Sequence, residues 1–276
     1  MLGYLDCPVN YQQAHPGDRL SRHVECFWML EGVPAASEAP QSILPDGSME
    51  LVFHYGDPFR RFLSGGRSEK QPKSLVAGQL LGEVRLQPTG WAGCFGIRFR
   101  PGGAWPFLGC PADELTGHIV DFSLLRGREA RELAQQIADS SNWESRCEVA
   151  RQWLLARLNG TADHTVDAAV AAIRSAHGVV SVSSLAQRLG LTRRSLERRF
   201  RRQVGLLPKQ LARVLRFQRA LQMREQAPAG GWPAIALECG YYDQAHLIRD
   251  FREFSGQTPA AFQSEEMTEF FVRDGA

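Results

Sequence analysis

The sequence predicts an α+β protein, in which a mostly-β N-terminal domain with two flanking helices precedes an all-α C-terminal domain. Short apolar runs separated by Gly and Pro turns fill residues 1–125. From Arg126 onward, apolar residues recur at three- and four-residue spacing, which is the helical period. In the last third, one helical pattern occurs twice at a fixed offset of 51 residues. We therefore expect domains at residues 1–160 and 164–264.

The strands of the N-terminal domain are predicted by β-prone apolar runs at residues 26–30, 49–55, 74–78, 83–88 and 94–99. Turn sequences, PDG at 45–47 and RPGG at 100–103, separate some of these runs. The pattern is typical of a small barrel or sandwich. Two amphipathic helices follow, and Val149 and Trp153 lie on the apolar stripe of the second. They either cap the β domain or mediate dimerisation, and Gly160 is placed to end the second one.

The C-terminal domain is predicted to be helical at residues 166–176, 182–189, 193–203, 208–225, 233–239, 244–254 and from about 259. Ser181, Thr192 and Asp243 occupy positions expected of N-caps. Pro208 falls in the first turn of the longest helix, where proline is tolerated. That helix would be about 27 Å long.

The longest predicted helix joins two copies of one unit, at about 182–204 and 233–255. Each copy has a short helix, a tight turn containing Gly190 or Gly240, and a second helix. This is the order of elements in a helix-turn-helix, whose second helix enters the major groove of DNA. At the offset of 51, the matched pairs include Thr192 with Asp243, Leu196 with Leu247, Phe200 with Phe251, Gly205 with Gly256 and Pro208 with Pro259.

The distribution of charge favours a polyanionic partner for the C-terminal domain. Residues 164–264 hold 15 Lys and Arg against 7 Asp and Glu, whereas residues 1–163 hold 16 against 19. A basic domain next to an acidic one indicates two different partners. Seven basic residues fall within 184–205, and such a run can also be only a solvated helix face. The duplicated register makes DNA binding the stronger interpretation.

We call the second helix of each unit its reading helix. The first reading helix has Leu196 and Phe200 on its inward face, which leaves its charged residues outside. Among these, Arg194, Glu197 and Arg198 share one face and have the chemistry to contact guanine and cytosine. The positions further along the helix are predicted to contact phosphates, which orient the protein without specifying sequence. The candidate DNA-binding residues of this helix are Arg193, Arg194, Glu197, Arg198, Arg201 and Arg202.

The second reading helix is less basic, and we expect it to contribute less to affinity. Leu247 and Phe251 point inward, which leaves Gln244, His246 and Arg249 as its candidate DNA-binding residues. Gln can bind adenine through two hydrogen bonds, and Arg can bind guanine or a phosphate.

The stretch from about Thr165 to Phe262 resembles the DNA-binding domain of the AraC-type family of bacterial transcription regulators. The segments SLAQRLGLTRRSLERRFRRQVGLLPKQ and AIALECGYYDQAHLIRDFREFSGQTPAAF are similar to the two helix-turn-helix signatures of that family. The second is especially close, with its Gly-aromatic turn, polar cap, Arg-x-Phe and Gly-x-Thr-Pro. The resemblance implies sequence-specific DNA binding in transcription regulation, with base contacts near Arg194, Glu197, Arg198, Gln244, His246 and Arg249.

Three positions depart from the family pattern and leave the base preference open. Ile248 and Asp250 stand where family members vary, and Tyr242 stands where a small or polar residue is common. The N-terminal segments ILPDGSMELVFHYGD, VAGQ and GIRFRPGGAWPFLG resemble a poorly characterised domain found in some of these regulators. In this family, such a domain senses a small molecule or mediates dimerisation.

Aromatic and polar residues of the N-terminal domain are candidates for an effector pocket: Trp28, His54, Tyr55, Arg98, Arg100 and Trp105. Arg98 and Arg100 alternate along a strand and would share a face that suits an anionic effector. The alternative, which we prefer, is that they pair with Asp46, Glu50 or Asp57 on the surface. His54 has no second ligand at suitable spacing, so we expect no metal.

Other classes of protein are disfavoured by composition. No segment approaches the roughly 18 apolar residues of a membrane span, and the N-terminus lacks the pattern of a secretory signal. We therefore expect a cytoplasmic location. The six cysteines form no CxxC pair, so we expect neither zinc nor another cofactor. The partners that we expect are double-stranded DNA, a small-molecule effector, RNA polymerase and a second copy of the chain.

Two alternatives to an effector-controlled, non-enzymatic regulator stay open. One is a constitutive DNA-binding dimer without a ligand. The other is an enzymatic N-terminal domain, such as a DNA-repair domain using Cys94 or Cys110 as nucleophile, although the sequence indicates no neighbouring base.

Overall fold

A computed structural model describes residues 10–32, 40–158, 163–226 and 231–262. The strands in these ranges are β1 (Asn10–Ala14), β2 (Val24–Gly32), β3 (Gln41–Ile43), β4 (Met49–His54), β5 (Arg60–Phe62), β6 (Ser68–Lys70), β7 (Ser74–Ala77), β8 (Val84–Gln87), β9 (Ala92–Phe99) and β10 (Ile119–Asp121). The helices of the β-rich domain are α1 (Trp105–Leu108), α2 (Phe122–Asp139) and α3 (Trp143–Arg157). The helices of the C-terminal region are α4 (His164–Ser175), α5 (Val182–Arg188), α6 (Arg193–Val204), α7 (Pro208–Gln226), α8 (Trp232–Glu238) and α9 (Gln244–Ser255).

Two antiparallel sheets form the β-rich domain. The larger has the strand order β1-β2-β9-β4-β7-β10 and the smaller β3-β8-β5-β6. Strand β9 is buried along its whole length because both of its faces are covered. Phe95, Ile97 and Phe99 pack in the core that α2 and α3 complete, whereas Cys94 and Arg98 face a cavity between the sheets. The sheets therefore enclose a space on the side away from the helices.

Trp28 lies directly over Gly96, its cross-strand partner on β9. A Cβ atom at position 96 would lie only 2.0 Å from the indole ring. Glycine is required here because the ring occupies the space that any side chain would fill. This close approach places Trp28 in the wall of the cavity.

The helical region contains two apolar clusters, one for each helix-turn-helix unit. Leu196 and Phe200 of α6 lie in the first cluster, and Leu247 and Phe251 of α9 lie in the second. Helix α7 contributes to both, with Leu211 in the first and Phe217 in the second. Since α7 has 19 residues, it extends for about 28 Å. The units are therefore joined through a continuous helix rather than a flexible linker.

The predicted N-caps are confirmed. The side chain of Ser181 accepts a hydrogen bond from the amide of Ser184, and that of Thr192 accepts one from the amide of Ser195. Asp243 caps α9 in the same way. Each cap satisfies one of the amide groups that a helix start leaves without an intrahelical partner.

The predicted α+β class is confirmed, and the differences lie in short elements. The sequence did not predict β1, β3, β5, β6 or β10. Residues 259–261 form a turn at the position of the predicted last helix, and its remainder lies outside the described residues. Cys7, Gly160 and the tail 265–276 also lie outside them. The boundary between the domains stays a prediction.

The β-rich domain contacts both helix-turn-helix units. Thr116 Oγ1 donates a hydrogen bond of 2.6 Å to the carbonyl oxygen of Gly205, at the end of α6. Arg174 of α4 pairs with Glu25 at 3.2 Å. Leu44 of the β-rich domain belongs to the apolar cluster of the second unit. The two reading helices are therefore supported by α7 and by the β-rich domain together.

Within the described ranges, no helix is long and apolar enough to cross a membrane. The same part of the chain has no group of three or more His, Cys, Asp or Glu side chains that could hold a metal ion.

Candidate DNA interface and ligand cavity

Helix α6 presents a basic face opposite its buried one. Leu196, Phe200 and Val204 are buried, and the helical period places the arginines on the other side. Arg194, Arg198 and Arg201 are exposed. Within the described part of the chain, these three guanidinium groups form no hydrogen bond or ion pair with another side chain, so they are positioned to meet phosphates or base edges.

Other charged residues of α6 have partners within the protein. Arg193 donates a hydrogen bond of 2.8 Å to Glu197, so the Glu197 carboxylate is held beside a cation. The guanidinium of Arg202 lies 5.2 Å from the ring centroid of Trp105 in the β-rich domain. Arg202 is therefore on the side of α6 that faces the β-rich domain, and this contact competes with any role at DNA.

Helix α9 presents a smaller polar face. Gln244 and Arg249 are exposed. The His246 ring is half-buried and lies edge-on to Tyr241, with 5.3 Å between ring centroids. Tyr242, in the turn before α9, is 93% exposed. The exposed groups next to the start of this helix are therefore an amide and a phenol, and the imidazole is directed inward.

An ion pair fixes α9 against α7. Arg213 Nη2 lies 2.7 Å from Asp250 Oδ1, and Nη1 donates to Glu253 at 3.0 Å. The Asp250 side chain is 1% exposed, whereas that of Glu253 is 49% exposed. Hydrogen bonds with Glu253 and with Asp250 raise the pKa of Arg213 above its ordinary value, although burial opposes the shift. Asp250 is therefore a structural residue that orients the reading helix.

The cavity between the sheets has a volume of about 100 Å³ and mostly apolar walls. Trp28, Val52 and Leu75 form one side, and Ile43 and Leu86 belong to the smaller sheet. Ligand sites in proteins commonly combine such walls with a few polar groups. In this cavity the charged groups are Asp46, Glu50 and Arg98.

Arg98 is buried beside two carboxylates. It pairs with Asp46, and its Nε lies 3.6 Å from Glu50 Oε1. Arg100 is not part of this group: β9 ends at Phe99, and Arg100 donates to the carbonyl oxygen of Ser21 instead. The predicted face with two guanidinium groups is therefore not formed, and the ion pairs of Arg98 lie in the cavity wall rather than on the surface.

Three of the six predicted effector residues line the cavity, namely Trp28, His54 and Arg98. Tyr55, Arg100 and Trp105 lie elsewhere. The Tyr55 hydroxyl donates to Glu31 at 2.8 Å, and Trp105 is covered by Arg202.

A buried histidine in the cavity wall joins a thiol and an amide. His54 Nδ1 lies 3.1 Å from Cys94 Sγ, and Nε2 lies 3.1 Å from Gln71 Oε1. Because the amide oxygen can only accept, Nε2 carries the proton and Nδ1 accepts from the thiol. Burial lowers the pKa of His54 to about 4, although the hydrogen bond to Gln71 opposes this shift. Burial also raises the pKa of the Cys94 thiol.

Comparison with known proteins assigns the C-terminal region. Residues 185–265 match a family described as a helix-turn-helix domain, and this range includes α6 through α9 with both reading helices. The C-terminal region is an AraC-type helix-turn-helix domain. Such domains bind DNA and serve in transcription regulation. Upstream of the AraC-type domain, residues 12–121 match a domain of unknown function, DUF6597. No curated protein matches the chain.

Solved structures of two other proteins show distant similarity to most of the chain. ToxT from Vibrio cholerae is 8% identical, with a TM-score of 0.44 over 85% of this chain and 96% of ToxT. ToxT with a bound unsaturated fatty acid is 6% identical, with a TM-score of 0.42 over 80% and 91%. The AraC-like transcriptional activator CuxR is 15% identical, with a TM-score of 0.34 over 79% and 81%.

Sequence reasoning did not find the residues that connect the cavity to the AraC-type domain. Leu44 lines the cavity and also packs in the second apolar cluster. Gln218 of α7 donates a hydrogen bond of 2.6 Å to the carbonyl oxygen of Pro45. The PDG sequence at 45–47 indicated a turn, but nothing in a local pattern indicates which helix a turn contacts.

Proposed function

We propose that this protein is a sequence-specific transcription regulator whose two reading helices bind DNA and whose cavity takes a small-molecule effector. The observation that carries the proposal is the row of exposed arginines on α6, Arg194, Arg198 and Arg201, opposite a fully buried apolar face. If the basic face of α6 were only a solvated surface, it would not explain why a second helix-turn-helix unit follows after the continuous helix α7.

The residues have different proposed roles. Arg194 and Arg198 contact base edges, and Glu197 acts with Arg193 as a paired group beside them. Arg201 contacts phosphate. On α9, the exposed side chains of Gln244 and Arg249 contact DNA. His246 and Arg202, both engaged inside the protein, have supporting roles in this proposal.

Control by an effector is supported by the loop from Leu44 to Ser48. Asp46 of this loop pairs with Arg98 in the cavity wall, and Gln218 of α7 binds the neighbouring carbonyl of Pro45. The loop therefore has one side in the cavity and the other on α7. A ligand that favours one position of the loop would favour one position of α7. Dimerisation, contact with RNA polymerase and a cytoplasmic location stay predictions.

An enzymatic role is less well supported. The structure places a base beside Cys94, since His54 Nδ1 is 3.1 Å from its sulfur. However, burial raises the pKa of Cys94 and lowers that of His54 to about 4, so both groups are held uncharged. Burial, with Glu114 and Asp113, also raises the pKa of Cys110. Because the thiolate is the nucleophile, these environments oppose catalysis by either cysteine.

The test of DNA reading is selection of double-stranded DNA from a random pool by the full chain at near-physiological salt. We expect an enriched motif with two blocks about one helical turn, or 34 Å, apart. Arg198→Ala should reduce the discrimination at one base position by about 1–3 kcal/mol of binding free energy. Arg201→Ala should instead weaken binding to all DNA sequences by the same factor. Arg131→Ala, at an exposed arginine of α2, is the matched control and should change nothing. An affinity that does not fall with salt would contradict the proposal.

A further inference from the structure

The cavity holds an excess of negative charge. Among the described residues that line it, the ionic side chains are Arg98, Asp46 and Glu50, with one positive and two negative formal charges. The side chain of Arg98 is 6% exposed and that of Glu50 12%, whereas Asp46, at 27%, retains more contact with water. The nearby His54 is neutral because burial lowers its pKa to about 4. The ionic side chains that the structure describes in the wall therefore sum to a net charge of −1.

This charge balance has a consequence for the ligand. A buried charge that is not fully compensated is costly, and a ligand of opposite charge relieves that cost. Arg98 already has two carboxylate neighbours, so an anion would have to displace one of them, and it would also meet the other. A cation can instead bind to Glu50 and Asp46 while Arg98 stays in place.

The dimensions of the cavity restrict the rest of the ligand. Its volume of about 100 Å³ is smaller than the roughly 150 Å³ of an engineered cavity that holds benzene. Its walls include Trp28, Val52 and Leu75, which suit an apolar body. The ligand is therefore compact and has one charged end.

We propose that the cavity binds a small aliphatic amine as its ammonium ion, with the positive end at Glu50 and Asp46 and the apolar body against Trp28, Val52 and Leu75. This proposal rests on the proposed function, since it names the chemical class of the effector. Because Asp46 belongs to the loop that contacts α7, the ammonium ion binds at the element that transmits its presence. An amine that attracts the Asp46 carboxylate weakens its pairing with Arg98 and changes the position that the loop prefers.

The experiment compares n-butylamine, 1-butanol and propionate, which have the same number of heavy atoms and differ in charge. Binding to the full chain is measured by calorimetry in phosphate buffer at neutral pH, because amine buffers would compete. We expect n-butylamine to bind at least about tenfold more tightly than 1-butanol, as a hydrogen bond between charged groups would give. We expect no binding of propionate.

Variants test the location of the ammonium ion. Glu50→Gln should remove the preference for the amine over the alcohol, and the matched control Glu69→Gln, at an exposed strand residue outside the cavity, should keep it. If Glu50→Gln does not fold, Asp46→Asn gives the same comparison. Equal or tighter binding of propionate, binding of none of the probes, or an amine preference that survives both cavity variants overturns the inference.

These outcomes are separate from the test of DNA reading. Selection of a DNA motif by a protein that binds no amine would leave the regulator and refute only the ligand class. Amine binding by a protein that selects no DNA would support the ligand class and refute the proposed regulator.

Discussion

The ion pair between α7 and α9 gives a prediction whose magnitude follows from burial. In Arg213→Leu, the Asp250 carboxylate, which is 1% exposed, loses both hydrogen bonds from the guanidinium. Removing one partner of a buried pair typically costs about 3–5 kcal/mol, because the remaining charge is left uncompensated. The Glu253 carboxylate, at 49% exposed, belongs to the same network, but an exposed pair contributes at most about 1 kcal/mol. Arg213→Leu should therefore destabilise the packing of α9 far more than Glu253→Gln does.

Amide hydrogen exchange along α9 measures this effect locally, which suits a protein with more than one cooperative unit. Each 1.4 kcal/mol of lost stability raises the equilibrium constant for local opening about tenfold. Arg213→Leu should therefore lower the protection factors of Gln244–Ser255 by roughly a hundredfold or more. The double variant Arg213→Leu, Asp250→Leu should recover most of the loss, since an apolar pair replaces the ionic one. Unchanged protection in Arg213→Leu, or an equal loss in Glu253→Gln, would refute the assignment of Asp250 as the anchor of α9.

Three further predictions concern other parts of the molecule. Arg198→Ala should lower DNA affinity about tenfold or more at preferred sites and much less at random DNA, as measured by competition binding. Because the pKa of His54 is lowered from 6.5 to about 4, its contribution to stability is complete above pH 6.5 and is lost as pH falls toward 4. Urea unfolding should show a loss of about 3 kcal/mol over that interval that is absent in His54→Gln. Gly205→Ala should destabilise by about 1–3 kcal/mol in urea, because φ is +88° and a Cβ would lie 2.9 Å from Thr116 Oγ1; Gly190→Ala, with positive φ but open space, should cost less.

The helical region could be predicted well from sequence because its signals are local. The apolar positions of α6 and α9 follow the helical period, and each helix starts at a residue whose side chain caps it. Consequently, the predicted bounds of both reading helices lie within one residue of those observed. The exposed arginines of α6 follow from the same period.

The β-rich domain was predicted less completely because several of its strands exist only through pairing. Strands β3, β5 and β6 have three residues each, and their sequences QSI, RRF and SEK show no alternation of apolar and polar residues. They are strands because β8 and β5 supply hydrogen-bonding partners in the smaller sheet. Such pairing depends on residues distant in sequence.

The cavity chemistry was hidden for the same reason. His54 and Cys94 are 40 residues apart and meet because β4 and β9 pair with these two residues in register. Arg98 and Arg100 were expected on one face, since side chains alternate along a strand. The alternation stops at Phe99, where β9 ends, and a turn carries Arg100 toward Ser21. Side chains do alternate along β9, but the strand ends one residue before Arg100.

The contacts of the loop on α7 explain how one small cavity can influence two reading helices. The loop lies against Leu211, Val214 and Gln218, which follow each other by three and four residues and so form one face of α7. A Cβ at Gly47 would lie 2.6 Å from Leu211 Cδ1, so the backbone of the loop rests directly on the helix. Leu211 belongs to the cluster under α6, and Val214 to the one under α9. A shift of Asp46, next to Gly47, would therefore act on the packing of both units at once, and the spacing of the two DNA contacts would change without any change in either reading helix.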